Sequence, residues 1–472
     1  MAPRPLAIVA VLMLSACASS PGATTASSPS PTPTSTTTTL TGAIGAAQYR
    51  IEVPTAWNGT LFLYSHGYVA PGTINIATDS PARAISSWLL GHGYAIAGSS
   101  YSSTGWALED AFKDQIAVLD LFNQRFAKPT RVIAWGGSLG GIITAGLVQL
   151  YPDRFAGAIP ICGVLAGGVA TWNTGLDGAY AFKTLLAPAS QLQLVGITDP
   201  QANAQLASQI FSTASASPEG QARIALIAAL GDLPGWFDPG GAQPAPTDYA
   251  SQQAAQARWE SQVDFPFEFS YRSELEQRAG GNPSWNTGVD YAHQLAISPS
   301  AAEVAALYQS AGLDLAADLR ALNAGTRVKA DLKAAAYLDR FISFDGNLQV
   351  PVLTMHTIGD GLVVPQDETA YGDAVRAAGK QDLLRQVFVS RAGHCAFSAS
   401  ETIAAIQAML NRLDTGSWND AALTPATLNA AAQAMGDSFN TVGGFFISPP
   451  AFAGYAPGPY PRPFPKGSAV PI

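Results

Sequence analysis

Short, nearly continuous apolar runs alternate with amphipathic stretches along most of this chain, and no other feature restricts its fold so strongly. Tyr49 to Val53, Thr60 to His66, Tyr94 to Ser100, Arg131 to Gly136, Phe155 to Ile161, Val350 to His356 and Leu384 to Ser390 read as strands. Such unbroken runs suit parallel strands covered on both faces. Between them, Glu109 to Phe126 sets Phe112, Ile116, Leu119, Phe122 and Phe126 at three- and four-residue steps, which predicts a helix with one buried face. Further helices are predicted at 140–150, 366–379 and 399–412. The expected fold class is α/β, a mostly parallel sheet flanked by helices.

The alternation breaks between Gly167 and Gly346, where Ala, Gln and Leu dominate and stretches such as Pro218 to Leu230 and Ser300 to Leu322 have helical character. Residues 167–346 are predicted to form a mainly helical insertion that splits the core into 42–166 and 347–448. It falls over the C-terminal edge of the sheet, where open α/β sheets keep their ligands, so it is placed to act as a lid.

The two ends differ from the core. Arg4 followed by the apolar run Leu6 to Leu14 predicts an export signal over residues 1–16, and Leu14-Ser15-Ala16-Cys17 resembles a bacterial lipobox. That resemblance implies cleavage before Cys17, a lipid on its sulfur, and an exported protein held on the extracytoplasmic face of the cell membrane. Residues 17–41 are almost wholly Ser, Thr, Pro, Ala and Gly and are expected to be a tether. Residues 449–472 form a Pro-rich tail with Phe452, Tyr455, Tyr460 and Phe464 as anchors, expected to lie extended along the surface. With 25 Lys and Arg against 34 Asp and Glu, the net charge of −9 offers no basic surface for phosphate contacts, so nucleic acid is not an expected partner.

The chemistry is signalled by Gly136-Gly137-Ser138-Leu139-Gly140-Gly141, between a predicted strand and a predicted helix. A serine on such an elbow projects its hydroxyl above the sheet edge, and the glycines let neighbouring segments approach. A serine hydroxyl needs a base and a group that orients the base. His394, in the loop after the last predicted strand, is the expected base. Asp360, leaving the strand that ends at His356, is the expected acid, with Asp177 as the alternative. His66-Gly67-Tyr68 follows an early strand and is expected to supply an oxyanion donor through Tyr68 N–H, beside Leu139 N–H after the nucleophile. His92, His293 and His356 read as structural or exposed. No metal or cofactor is expected.

On these motifs the chain, from about residue 49 to 412, resembles the α/β-hydrolases. Trp57-Asn58-Gly59 ahead of His66-Gly67, and a His followed directly by Cys, are similar to tannases and feruloyl esterases. That group places a cysteine before the serine, where this chain has Gly137. The elbow and the Thr357-Ile358-Gly359-Asp360 segment are closer to general esterases and secreted peptidases of the same fold. Cys162, ending the strand after the nucleophile helix, is then the expected disulfide partner of Cys395. Trp106, Trp172, Tyr180 and Phe182 are pocket-lining candidates that would serve equally as core. The expected activity is hydrolysis of small carboxylic esters through an acyl-enzyme on Ser138. Alternatives are a peptidase removing short N-terminal units, for which Asp264, Glu268, Glu274 and Glu276 offer acidic groups, and an inactive binding protein.

Overall fold

The computed structural model describes residues 36–443 and 446–471, so the export signal, Cys17 and most of the expected tether lie outside the described residues. The strands are β1 (Thr37–Ile44), β2 (Ala47–Pro54), β3 (Thr60–Ser65), β4 (Ala95–Ser99), β5 (Arg131–Gly137), β6 (Gly157–Ile161), β7 (Val352–Gly359), β8 (Leu384–Ala392), β9 (Thr441–Val442), β10 (Phe446–Ile447) and β11 (Phe452–Ala453). Nine of them form one sheet in the order β1-β2-β4-β3-β5-β6-β7-β8-β11, while β9 and β10 make a separate small hairpin. From β4 through β8 along that order every neighbour is parallel; β2 and β11 pair antiparallel at the two flanks, and β1 pairs antiparallel with β2.

Alternate side chains of the central strands feed two cores, as the period of two requires. Leu61, Leu63, Val132 and Ala134 pack with helices α2 (Leu108–Arg125) and α3 (Leu139–Leu150). Phe62, Tyr64, Ile133 and Trp135 pack on the other face against α1 (Arg83–Gly91) and the helix Ala399–Thr415. Both faces are therefore covered, which is why these strands are apolar without interruption. The fold class is the one the sequence pattern implied.

The chain leaves the sheet after β6 and returns at β7, and in between runs α4 (Gly168–Leu186) and a series of further helices ending with Leu332–Arg340. These helices enclose a core of their own that includes Tyr180, Phe182, Leu226, Phe269, Tyr291 and Tyr308. Among the described residues no helix is long and apolar enough to cross a membrane.

Two boundaries drawn from the sequence are corrected. The segment read as tether already forms β1 from Thr37, in register with β2 from Thr37 opposite Pro54 to Ile44 opposite Ala47. Its threonines suit a pleated edge strand, but most of its side chains are exposed, so no apolar alternation marks it. The C-terminal tail does not simply lie along the surface. Phe452 and Ala453 pair with β8, and the Asn429 side chain bonds both the N–H and the carbonyl of Phe452. Farther on, Tyr460 is buried with Trp259 and Val364, and Arg462 reaches the lid.

Candidate active site

Ser138 sits between β5 and α3 with φ 60° and ψ −127°, a conformation that costs an L-residue on the order of 1–3 kcal/mol. The crossing of segments enforces it. A Cβ on Gly136 would meet Ser65 and Gly140 backbone oxygens, and one on Gly140 would run into the Ser65 carbonyl. Glycine at both positions lets the elbow close on β3. Five non-glycine residues described here have positive φ, and Tyr101, Ser138, Cys162 and Cys395 are four of them, so strain is concentrated around one site.

The disulfide Cys162–Cys395 joins the end of β6 to the loop after β8, with Cα atoms 5.4 Å apart. It lies against the elbow, because a Cβ on Gly137 would stand 3.5 Å from the Cys162 sulfur and 3.7 Å from that of Cys395. Gly137 directly precedes Ser138 and His394 directly precedes Cys395, so the bridge brings the serine segment and the histidine segment together. Cys162 thereby does from the neighbouring strand what a cysteine at 137 would do from the elbow.

His394 Nδ1 donates to Asp360 Oδ2 at 2.8 Å, which leaves Nε2 as the basic nitrogen. Asp360 is fully buried, and its other oxygen accepts the N–H groups of Leu362 (3.1 Å) and Val363 (3.0 Å). Behind it lies a second buried pair. His356 Nδ1 is bonded to Glu368 Oε1 at 3.0 Å and Nε2 to the Val363 carbonyl at 2.8 Å, and Nε2 is 3.7 Å from Asp360 Oδ2. Both ring nitrogens face acceptors, so His356 is held as an imidazolium. Burial opposes that charge, but the Glu368 hydrogen bond and charge outweigh it and raise the pKa to about 9. Asp177, the alternative acid, is elsewhere. Tyr291, Gln294 and Arg462 donate to it inside the lid, with Arg462 Nη1 3.1 Å from each of its oxygens.

The early loop approaches the serine closely. A Cβ on Gly67 would be 3.3 Å from Ser138 Cβ and 3.7 Å from its Oγ. His66 is held in place by stacking on Tyr101 at 4.0 Å and by Nδ1 bonding the Gly67 carbonyl. Tyr68 and Leu139 both line the pocket with Ser138. Leu139 opens α3, where a backbone N–H has no acceptor within the helix. The two residues expected to donate to the oxyanion thus share the cavity wall with the serine.

Above them is a cavity walled by sheet loops and lid. Trp106 and Trp172 line it, edge to face at 5.5 Å. Tyr180 and Phe182 do not. Tyr180 stacks on Tyr291 and donates to the Leu322 carbonyl, and Phe182 packs on Phe265 and Phe269, so both belong to the lid core. Sequence reasoning missed Glu260, which lines the cavity with Asp264, Glu268 and Arg272, and Tyr460, which reaches it from the tail. Of the acidic residues singled out beforehand, Glu274 binds Arg278 and the Trp106 N–H, and Glu276 binds Arg272 and the Gly196 N–H. Those two fasten the lid, while Asp264 and Glu268 face the cavity.

Comparison with known proteins agrees with this architecture. Residues 91–174, which span the elbow, match the prolyl oligopeptidase family. Over 419 residues the chain is 30% identical to a protein of Xanthobacter agilis named o-phthalyl amidase, covering 82% of this chain and 89% of that one. The chain belongs to the o-phthalyl amidase family. It is thus an α/β-hydrolase, and its family is one of hydrolases. Among solved structures it is similar to an esterase from Aspergillus oryzae (TM-score 0.42, 13% identity, 81% of this chain and 80% of that one). It is also similar to the acylaminoacyl peptidase of Pyrococcus horikoshii (TM-score 0.35, 11% identity, 76% of this chain and 37% of that one).

Proposed function

We propose that the protein is a serine hydrolase that opens small carboxylic esters through an acyl-enzyme on Ser138. The observation that carries this reading is the disulfide that lies against the strained Ser138 elbow and holds the loop of His394, whose Nδ1 is already given to Asp360. In the reaction, Ser138 Oγ attacks the carbonyl carbon while its proton passes to His394 Nε2. The oxyanion takes hydrogen bonds from the N–H groups of Tyr68 and Leu139. His394 returns the proton to the departing alkoxide as the C–O bond breaks. Water then attacks the acyl-enzyme, its proton going to His394, and as the Oγ–C bond breaks His394 returns that proton to Ser138 Oγ and the carboxylic acid leaves.

Amide hydrolysis is the second reading, favoured by the 30% identity to a protein named o-phthalyl amidase. It differs only in the leaving group, an amine that must receive the proton from His394 before the C–N bond breaks. A matched panel of 4-nitrophenyl esters, 4-nitroanilides and an o-phthalyl amide divides the two. Turnover confined to the esters supports the first reading, and kcat/KM on an amide comparable with that on its ester moves the assignment to the second. Export and lipid attachment at Cys17 complete the proposal. Mass spectrometry of the membrane fraction should find the chain starting at a lipid-modified Cys17, and an unmodified chain in the cytoplasm contradicts it.

A further inference from the structure

The lid presents a second chemical feature to the same cavity. The helix Tyr249–Trp259 continues through two wide-turned π-helical stretches, Glu260–Asp264 and Phe267–Tyr271, into the helix Arg272–Ala279. Stretches of π-helix are rare and concentrate at functional sites. This one carries Glu260, Asp264 and Glu268 at four-residue intervals, and all three line the cavity above Ser138. Its Phe267 and Tyr271 rings pack on Tyr68 at 5.0 and 5.7 Å, so the acidic wall is attached directly to the expected oxyanion loop.

These carboxylates lack partners. Glu260 is 4% exposed and Glu268 is 9% exposed, and Glu260 Oε2, Asp264 Oδ2 and Glu268 Oε2 are buried without a hydrogen bond among the described residues. Withdrawing an unpaired carboxyl group from water is costly in either protonation state, so a fold does not assemble three on one cavity wall for packing alone. Of the three, the nearby cation Arg272 acts on Glu268 alone, and burial of Glu268 outweighs it. Arg272 Nε is committed to Glu276 and its Nη2 to Asn282 Oδ1, with its guanidinium over Trp172. Gly178 of α4 makes room for the cluster, since a Cβ there would stand 2.9 Å from Glu268 Oε1. Unbonded acceptor oxygens on a cavity wall suit a ligand that carries positive charge and donates hydrogen bonds.

We propose that Glu260, Asp264 and Glu268 form a subsite for a primary ammonium group of the substrate, holding that group while the neighbouring carbonyl is attacked by Ser138. An ammonium brings N–H donors to a wall whose carboxyl oxygens are unbonded. The cavity also offers acceptor partners something: Trp106 and Trp172 line it, and each leaves its indole N–H unbonded, fitting a neutral carbonyl on the same substrate. Burial holds all three carboxylates well above the ordinary carboxylate range in the empty cavity, and their mutual charge adds to this at Asp264. Cation binding therefore releases protons.

The substrate part of the proposal rests on Ser138 acting as nucleophile; the binding part does not. Three 4-nitrophenyl esters of equal length, with acyl tails ending in ammonium (6-aminohexanoyl), methyl (heptanoyl) or carboxylate (adipoyl), are compared by kcat/KM. The ammonium ester should lead the methyl ester by about tenfold or more, chiefly through KM, and Glu260→Gln or Glu268→Gln should shrink that ratio several-fold. Equal rates for the ammonium and methyl tails, or a preference for the carboxylate tail, overturn the subsite. Calorimetry of pentylammonium binding to Ser138→Ala protein separates the two readings. Binding with proton release that Glu268→Gln abolishes supports the subsite whether or not Ser138 is the nucleophile. Absence of binding at millimolar pentylammonium, in protein whose melting transition matches the parent, overturns it.

Discussion

Three buried carboxylates of the sheet side and the three that line the cavity from the lid are treated in opposite ways. Asp360 takes two backbone N–H groups and His394. Glu368 takes Thr354, His356 and Gln386, and Glu401 takes both terminal nitrogens of Arg391 with the N–H groups of Ser398 and Ala451. On the lid, Glu260, Asp264 and Glu268 each leave an oxygen unbonded. A saturated carboxylate is fixed in place and serves geometry. An unsaturated one at a cavity keeps its bonding capacity for something that arrives. In the proposed reading the sheet side orients the reaction and the lid side selects what undergoes it.

The largest effect that separates these roles is expected at Asp360, the proposed triad acid. Asp360→Asn keeps the shape but lets the amide disfavour the Nδ1–H tautomer of His394, and kcat should fall on the order of 10³–10⁴-fold on ammonium and methyl esters alike. A loss restricted to the ammonium ester would erase the distinction between the two sides. A smaller effect is expected at the clamp. Cys395→Ser opens a bridge spanning 233 residues, and loss of such a bridge costs about 2–5 kcal/mol. The melting temperature should drop and kcat should fall several-fold with KM little changed; full turnover in the reduced protein would show that the elbow and the His394 loop hold together without it.

The smallest effect lies on the lid and runs the other way. Glu260 is raised by burial, and the groups around it are Asp264, Glu268, Asp367 and Arg272 of the cavity wall, with Asp360 beyond Asp264. Its folded pKa exceeds its unfolded value, so from about pH 4 upward the folded state binds more protons than the unfolded chain and stability declines as pH rises. Glu260→Gln removes that decline, and should raise the melting temperature by about 1–3 °C at pH 8 while leaving it nearly unchanged at pH 4. A lower melting temperature at pH 8 would mean that Glu260 is paired in solution.

The division also governs what could be read from the sequence. The central strands and the three residues of the proposed triad announce themselves locally: an apolar run, a glycine-flanked serine, an aspartate leaving a strand, a histidine after the last one. β1 and β11 do not, because an edge strand takes its pattern from its neighbour and from solvent; Thr37 to Thr39 carry no apolar alternation, and Phe452 stands in a Pro-rich tail. The acidic wall was legible only in part. Asp264, Glu268, Glu274 and Glu276 stand close together in sequence, yet which of them reaches the cavity depends on the change from α to π winding after Trp259. Tyr180 was misplaced for the same kind of reason. An aromatic on α4 points to cavity or lid core according to packing with Tyr291, more than a hundred residues later.

Intact-protein mass spectrometry after treatment with a fluorophosphonate tests the central claim most directly. The account predicts one adduct per chain, mapped to Ser138 by peptide sequencing, abolished in Ser138→Ala and strongly slowed in Asp360→Asn. Hydrolysis of the preferred ester that survives in Ser138→Ala, or an adduct on another residue, would contradict it.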